Sequence, residues 1–359
     1  MKNTLRKSFL LMALALLVAG GAFAQRVGDT VQVSGQPWVI ESISGDTATI
    51  RKVVAQGDGP VNCVAVADST FGTDAISGVA WGNNTWVAVG ARGKIAYSSD
   101  GRSWTAVPPG TNVGQTGFPA TGTASGIGAV AFGNGMFIAV GNRMASSPDG
   151  RTWTAVTSNL SFTITSIAYG GGRWVVVGGN GQTAYSTDGR TWTAVDASAV
   201  FGRVAVNAVA YGNNRFVAVA YRNVAYSSNG TSWIAVDTSN IFVSSTNTVN
   251  GITYGGNRFV AAGMMGRIGY SADGATWTAM TNANNTPLGG SVNDVAFGNN
   301  RYVAVGDGGQ VAYSPDAATW TAVTTSVFGT RDNNIRAVAY GSGRFVAVGN
   351  GGKMAYCDW

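Results

Sequence analysis

Along most of this chain, short apolar runs alternate with Gly/Asn-rich breaks, as in VNAVAYG (206–212), a break at Asn213-Asn214, then RFVAVA (215–220). A strand with one wet face alternates apolar and polar residues. Here even the partners of the large side chains are mostly Ala or Val, so the runs read as strands covered on both faces. The Gly/Asn breaks read as hairpin turns, because those residues accept positive φ.

The pattern repeats. ISGVAWGNNTWVAVG (76–90), IGAVAFGNGMFIAVG (127–141), ITSIAYGGGRWVVVG (164–178), VNAVAYGNNRFVAVA (206–220), VNGITYGGNRFVAAG (249–263), VNDVAFGNNRYVAVG (292–306) and IRAVAYGSGRFVAVG (335–349) align without gaps. The first six continue into a block such as YSTDGRTWTAV (185–195). Residues 61–359 thus hold seven units of about 43 residues, the spacing of propeller blades. Each unit predicts four strands: A (VNAVAYG type), B (RFVAVG type), C (VAYS type) and D (WTAV type). The expected fold is an all-β, seven-bladed β-propeller of four-stranded antiparallel blades.

The seventh unit stops after its strand C, at 359. Its missing strand D lies near the N-terminus: Cys63-Val-Ala-Val66 followed by Phe71-Gly72 matches Trp320-Thr-Ala-Val323 followed by Phe328-Gly329 at identical spacing. Residues 61–67 are therefore expected to complete the last blade. That alignment puts the two cysteines, Cys63 and Cys357, on either side of the C–D turn position, and a disulfide between them would replace the turn that the chain break removes. Residues 25–60 differ in character. Three short strands with Gly-Asp turns are expected there, too few for an independent core, so they read as a small β appendage.

Residues 1–24 have the form of a secretory signal: Lys2, Arg6 and Lys7, an apolar stretch from Phe9 to Val18, and Ala22-Phe-Ala24 as cleavage site. Export predicts a periplasmic or secreted protein without a membrane span. Loss of the three signal cations lowers the formal charge from +6 to +3, leaving 20 basic and 17 acidic residues with no basic run. Nucleic-acid binding is not expected. The chain has no His, and its one Glu is Glu41. This excludes histidine-dependent triads and His-ligated metals, and neither a cofactor nor a metal site is expected.

The blocks SSDGRSW (98–104), SPDGRTW (147–153), STDGRTW (186–192) and SADGATW (271–277) resemble the Asp-box (BNR) turn of sialidase-like propellers, in a shortened form with Asp and Gly adjacent. Blade four has Asn229 for the Asp, and blade six has Ala317 for the Gly. The form is similar to that of exported bacterial BNR-like propellers and of the seven-bladed assembly factors of photosystem II. Asp100, Asp149, Asp188, Asp273 and Asp316 are read as structural: Asp accepts from backbone N–H groups, Gly takes the left-handed position, and Trp packs beneath.

The sialidase resemblance would imply a Tyr nucleophile paired with Glu, an Asp acid/base and three arginines. The propeller has no Glu, and Arg173, Arg215, Arg258, Arg301 and Arg344 all open strand B periodically. Outside the boxes the propeller carboxylates are Asp68, Asp74, Asp196, Asp237, Asp294, Asp307, Asp332 and Asp358, with no pair marked by spacing.

A–B and C–D turns share one face of a propeller; B–C and D–A loops share the other. The first set is monotonous here and the second varies. Its B–C loops carry Arg92, Lys94, Arg143, Tyr221, Arg222, Met264, Met265, Arg267, Asp307 and Lys353, and an electropositive mouth is expected. The D–A loops carry Phe71, Phe118, Phe162, Phe201, Phe242, Leu288 and Phe328, either a sugar-stacking ring or wedges between blades. The long insertion 108–126 is expected to overhang the mouth. The function expected is that of a monomeric, non-catalytic interaction protein binding a protein or anionic surface polymer through this face. A multivalent lectin and a glycoside hydrolase are the alternatives.

Overall fold

Seven four-stranded antiparallel sheets, each ordered A-B-C-D from its first strand outward, form the propeller. In this computed structural model, side chains are described for residues 63–108, 118, 126–239, 241–242, 248–280, 288–323, 327–329 and 333–358. For the N-terminal segment and Asn62 only backbone strands are described. The A strands are Ile76–Gly82, Ile127–Gly133, Ile164–Gly170, Val206–Gly212, Val249–Gly255, Val292–Gly298 and Ile335–Gly341. The B strands are Thr85–Gly90, Met136–Gly141, Arg173–Gly178, Arg215–Ala220, Arg258–Gly263, Arg301–Gly306 and Arg344–Gly349.

Chain Val61–Asp358 forms one compact unit; Met1–Pro60 with Trp359 forms another. In the latter, Thr30–Val33, Gln36–Ser44, Thr47–Lys52 and Lys2–Arg6 pair consecutively as an antiparallel sheet. The apolar stretch and cleavage site of the expected signal lie outside the described residues.

Burial follows the apolar-on-both-faces pattern. Strand B is the most enclosed: Val175, Val176 and Val177 are all without exposure. One face meets the preceding blade and the other the following blade, as in the cluster joining Val175 and Val177 to Phe216, Ala218 and Trp233. The last aromatic of each strand A stacks on the first aromatic of its own strand B, for example Tyr211 on Phe216 at 4.7 Å between centroids. That same aromatic covers the terminal glycine of the preceding strand A. A Cβ on Gly212 would lie 1.9 Å from Tyr254 Cγ, so only glycine fits.

The described C–D turns are built alike. Gly101 N–H donates to Ser98 Oγ (2.8 Å), while Arg102 and Ser103 N–H both donate to Asp100 Oδ1 (2.8 and 2.9 Å). Blade four does the same with Asn229, whose Oδ1 accepts from Thr231 and Ser232 N–H (2.9 and 3.0 Å). In blade six Ala317 occupies the left-handed position with φ 65°. N–H donation from Thr191 and Arg190 holds the Asp188 carboxyl far below the usual carboxylate range.

These turns also latch neighbouring blades. Arg173, Arg215, Arg258 and Arg344 donate to the carbonyls of Asn229, Asp273, Asp316 and Asp100 in the C–D turn of the next blade (2.5–2.7 Å). Each guanidinium lies over the strand C tyrosine of its own blade: Tyr185, Tyr226, Tyr270 and Tyr356. These four arginines are thus inter-blade struts.

The last blade is completed by Asn62–Ala65, which pairs antiparallel with Met354–Asp358. Cys63 and Cys357 stand directly opposite in that register and are joined as a disulfide, with Cα atoms 4.1 Å apart. The expected ring closure and disulfide are both present.

Candidate functional site

The B–C turns and the D–A loops that contact them surround the axial opening. In five blades the B–C connection is a three-residue 3-10 turn, such as Ala91–Gly93 or Met264–Gly266, with its central residue left-handed. Blades six and seven place Gly308 and Gly351 at that centre, whereas blade one places Arg92 (φ 55°) and blade five Met265 (φ 58°). In the shorter turn of blade four, Arg222 also has φ 58°. All three side chains are exposed.

The expected basic residues divide into two groups. Lys94, Arg267 and Lys353 anchor the D–A loops: their side chains donate to the carbonyls of Phe71 (2.8 Å), Ile241 (3.0 Å) and Phe328 (2.8 Å). Asn223 does the same to Phe201 in blade four (3.1 Å). Arg92, Arg143 and Arg222 instead project from the turns and are exposed. Asp74 lies 3.3 Å from Arg92 Nε and 2.9 Å from Lys94 Nζ, which offsets positive charge at blade one. Tyr221 is 37% exposed, and its backbone bridges Thr248 of the next D–A loop.

The D–A residues are wedges. Phe71, Phe118, Phe201, Phe242, Leu288 and Phe328 are buried, and Phe162 is half-buried. Phe118, for instance, packs with Val107, Ile127 and Trp153. Apart from Phe118 and its ends, the long insertion 108–126 lies outside the described residues.

A funnel of about 500 Å³ opens between strand A of blades six, seven, one, two and three. Asp307 is the one expected site residue that lines it, beside Ser77, Gly128, Thr163, Thr165, Asn293, Asn334 and Arg336. Most of these come from the second position of strand A, where a bulge interrupts every A–B pairing. A bulged residue leaves the ladder and is aimed elsewhere. Asn207, Asn250 and Asn293 use that freedom to donate to the first strand A carbonyl of the next blade: Val249 (2.8 Å), Val292 (2.9 Å) and Ile335 (2.9 Å). Thr165 hydroxyl donates likewise to Val206 O.

The funnel residues were signalled by the alignment. Its second column reads Ser77, Gly128, Thr165, Asn207, Asn250, Asn293 and Arg336, a polar or Gly column within apolar strands. Arg336 is its single charge. Without the bulge, that column would have to face the neighbouring blade.

The carboxylates are largely engaged. Asp68 and Asp237 accept from Thr70 and Ser239 N–H; Asp196 accepts from Ser198 N–H and Gln182. Asp358 pairs with Arg102 (2.7 Å) and Arg344 (3.2 Å). Asp332 lies outside the described residues. Asp294 differs: its Oδ1 accepts from Val295 N–H and its Oδ2 from Val338 N–H of the next blade, both at 2.9 Å. The residue is half-buried, yet its carboxyl is withdrawn from water between the two strands, which pushes its pKa up to about 7. Among the described residues no cluster of His, Cys, Asp or Glu could hold a metal ion.

No family model matches the chain, and no curated protein does. Solved structures with the same fold are numerous. YCF48 bound to D1 peptide is 16% identical with TM-score 0.61, over 85% of this chain and 99% of that one. YCF48 from Cyanidioschyzon merolae is 16% identical with TM-score 0.60, over 82% and 98%. The catalytically inactive virginiamycin B lyase from Staphylococcus aureus with quinupristin is 8% identical with TM-score 0.66, over 83% and 99%. At such identities the likeness establishes a shared propeller fold and leaves function to the site.

Proposed function

We propose that this chain is an exported, non-catalytic Asp-box propeller that binds a protein partner on its B–C/D–A face. The observation that carries this reading is the backbone at Arg92, Arg222 and Met265. Left-handed φ at a non-glycine residue costs about 1–2 kcal/mol, and the equivalent turns of blades six and seven use Gly308 and Gly351. Arg222 and Met265 are exposed there, and Arg92 is exposed beside Asp74; strain of this kind gathers where side chains act. Two exposed cations and one flexible apolar side chain suit a protein surface of mixed acidic and apolar character.

Burial of the D–A wedges removes the repeated stacking surface that a multivalent lectin would use. Engagement of the carboxylates in turns and ion pairs speaks against a glycosidase. On the opposite face the turn Asp side chains are engaged within their own turns, and Arg173, Arg215, Arg258 and Arg344 hold neighbouring blades together. Export is supported by the signal-like residues 1–24 and by the disulfide, a bond typical of oxidising compartments. Cleavage after Ala24 would also remove Lys2–Arg6 from the small sheet.

The test is capture of partners from the envelope of the source cells. The wild type is compared with an Arg92→Ser/Arg143→Ser/Arg222→Ser variant, and with Arg151→Ser/Arg190→Ser on the other face. Loss of a specific partner in the first variant alone is expected. Equal capture by all three proteins would overturn the reading.

A further inference from the structure

The axial funnel carries a cation and an anion that the fold does not require. Arg336 occupies the strand A position at which Asn207, Asn250 and Asn293 bridge to the next blade with a neutral amide. It makes its contact within its own blade, Nε donating to Asn350 Oδ1 at 2.5 Å, and is exposed. Asp307 opens the B–C turn of blade six, where Ala91, Gly179, Met264 and Asn350 open the corresponding turns. Its Oδ1 accepts from Asn293 Nδ2 at 3.0 Å. The same Asn293 amide donates to Ile335 O, next to Arg336 (2.9 Å). Both charges line one cavity, on adjacent blades, and no ion pair joins them among the described residues.

Around them the wall is neutral and rich in hydrogen-bonding groups. Ser77 and Thr165 contribute hydroxyls and Asn334 an amide whose Oδ1 accepts from Gly308 N–H at 3.0 Å, fixing that loop against blade six. A plain anion would meet Arg336 but be repelled by Asp307, and a plain cation the reverse. A ligand with separated opposite charges satisfies both. The guanidinium fork matches a carboxylate, and the Asp307 carboxylate matches an ammonium.

We infer that the funnel binds a small zwitterion with a free carboxylate and a free ammonium group, a free amino acid or a short peptide with both termini uncapped. Its volume, about 500 Å³, falls in the range of small-ligand sites. The inference does not rest on the partner reading: that reading is carried by Arg92, Arg222 and Met265, none of which lines the funnel, whereas this one is carried by Asp307 at the start of the blade six turn and Arg336 on strand A.

Isothermal titration calorimetry with alanine, dialanine and trialanine tests it, alongside trialanine acetylated at its amino end or amidated at its carboxyl end. At least one uncapped compound is expected to bind, and either cap to weaken binding at least tenfold. Arg336→Gln should bind carboxylate and amide forms alike, and Asp307→Asn should bind free and acetylated forms alike. Arg336→Lys should restore part of the carboxylate preference. The alanine and trialanine arms distinguish a free amino acid from a short peptide. Circular dichroism melts confirm that each variant is folded. The inference is overturned if capped and uncapped forms bind equally, if the charge variants keep the wild-type discrimination, or if no uncapped compound binds at about 10 mM, some tenfold above a millimolar Kd.

Discussion

Gly341, at the end of strand A in the last blade, lies directly beneath Trp81 of the first: a Cβ on Gly341 would sit 2.1 Å from Trp81 Cγ. This is the same contact that Gly212 makes with Tyr254, now across the ring seam. Trp81 in turn stacks on Trp86 at 5.1 Å. The seam between blades seven and one is thus packed like every other junction, and closure is a core contact as well as a covalent one.

A methyl group at Gly341 therefore cannot be accommodated without moving Trp81. Gly341→Ala is expected to destabilise the protein by about 2–3 kcal/mol, as for overpacked cores. Gly343→Ala, where the added atom meets open space but φ is +80°, should cost only about 1 kcal/mol. Urea unfolding of the two variants checks the order; equal losses would refute the steric account.

The Cys63–Cys357 bond closes a loop across a sequence separation of 294. Chain entropy assigns so long a loop about 5–6 kcal/mol, and measured losses are about 2–5 kcal/mol. Cys63→Ser/Cys357→Ser should lose stability in the latter range, and 357 then matches Ser98, Ser147 and their equivalents. Adding reductant to the wild type should produce the same shift in thermal melts and leave the variant unchanged.

Asp294 should make stability depend on pH with an unusual sign. Its folded pKa, about 7, lies above the unfolded value near 4, so the folded state holds the proton more tightly between those limits. Its contribution is full at acidic pH and is lost as pH rises towards 7. From pH 5 to 8 the wild type should lose about 2–3 kcal/mol relative to Asp294→Ala. Blades two, four and seven already have Ala129, Ala208 and Ala337 there. Parallel pH profiles of denaturant unfolding for the two proteins would disprove the role.

Arg222→Gly should separate folding from function. Relief of the left-handed strain at φ 58° is expected to raise stability by about 0.5–1 kcal/mol, while partner capture weakens. A variant that is less stable, or that captures partners unchanged, contradicts the assignment of the turn side chains to binding.

How much of this was legible beforehand depends on whether a feature repeats. Blade number, strand order, the Ser-x-Asp C–D turns and the exchanged strand at Asn62–Ala65 are written seven times, or almost seven, so alignment of the chain with itself exposes them. The disulfide followed from one position in that alignment. The struts were visible only as a period: Arg215 stands where Arg258 does, but its donation to the Asp273 carbonyl needs the neighbouring blade in place.

The chain alone thus determined the ring and its closure, because each blade is local hairpin chemistry repeated at fixed spacing and the closing strand shows as the one element missing from the last repeat. Only the tertiary structure decided which loop cations are anchors and which are exposed. Lys94 and Arg92 are two residues apart, yet one reaches the Phe71 carbonyl and the other projects outward. Nor could sequence assemble the funnel, since Asp307 and Arg336 come to line one cavity through the curvature of the ring and the bulge that turns the second residue of strand A out of its ladder. Such juxtapositions depend on distances between blades, which no single repeat contains.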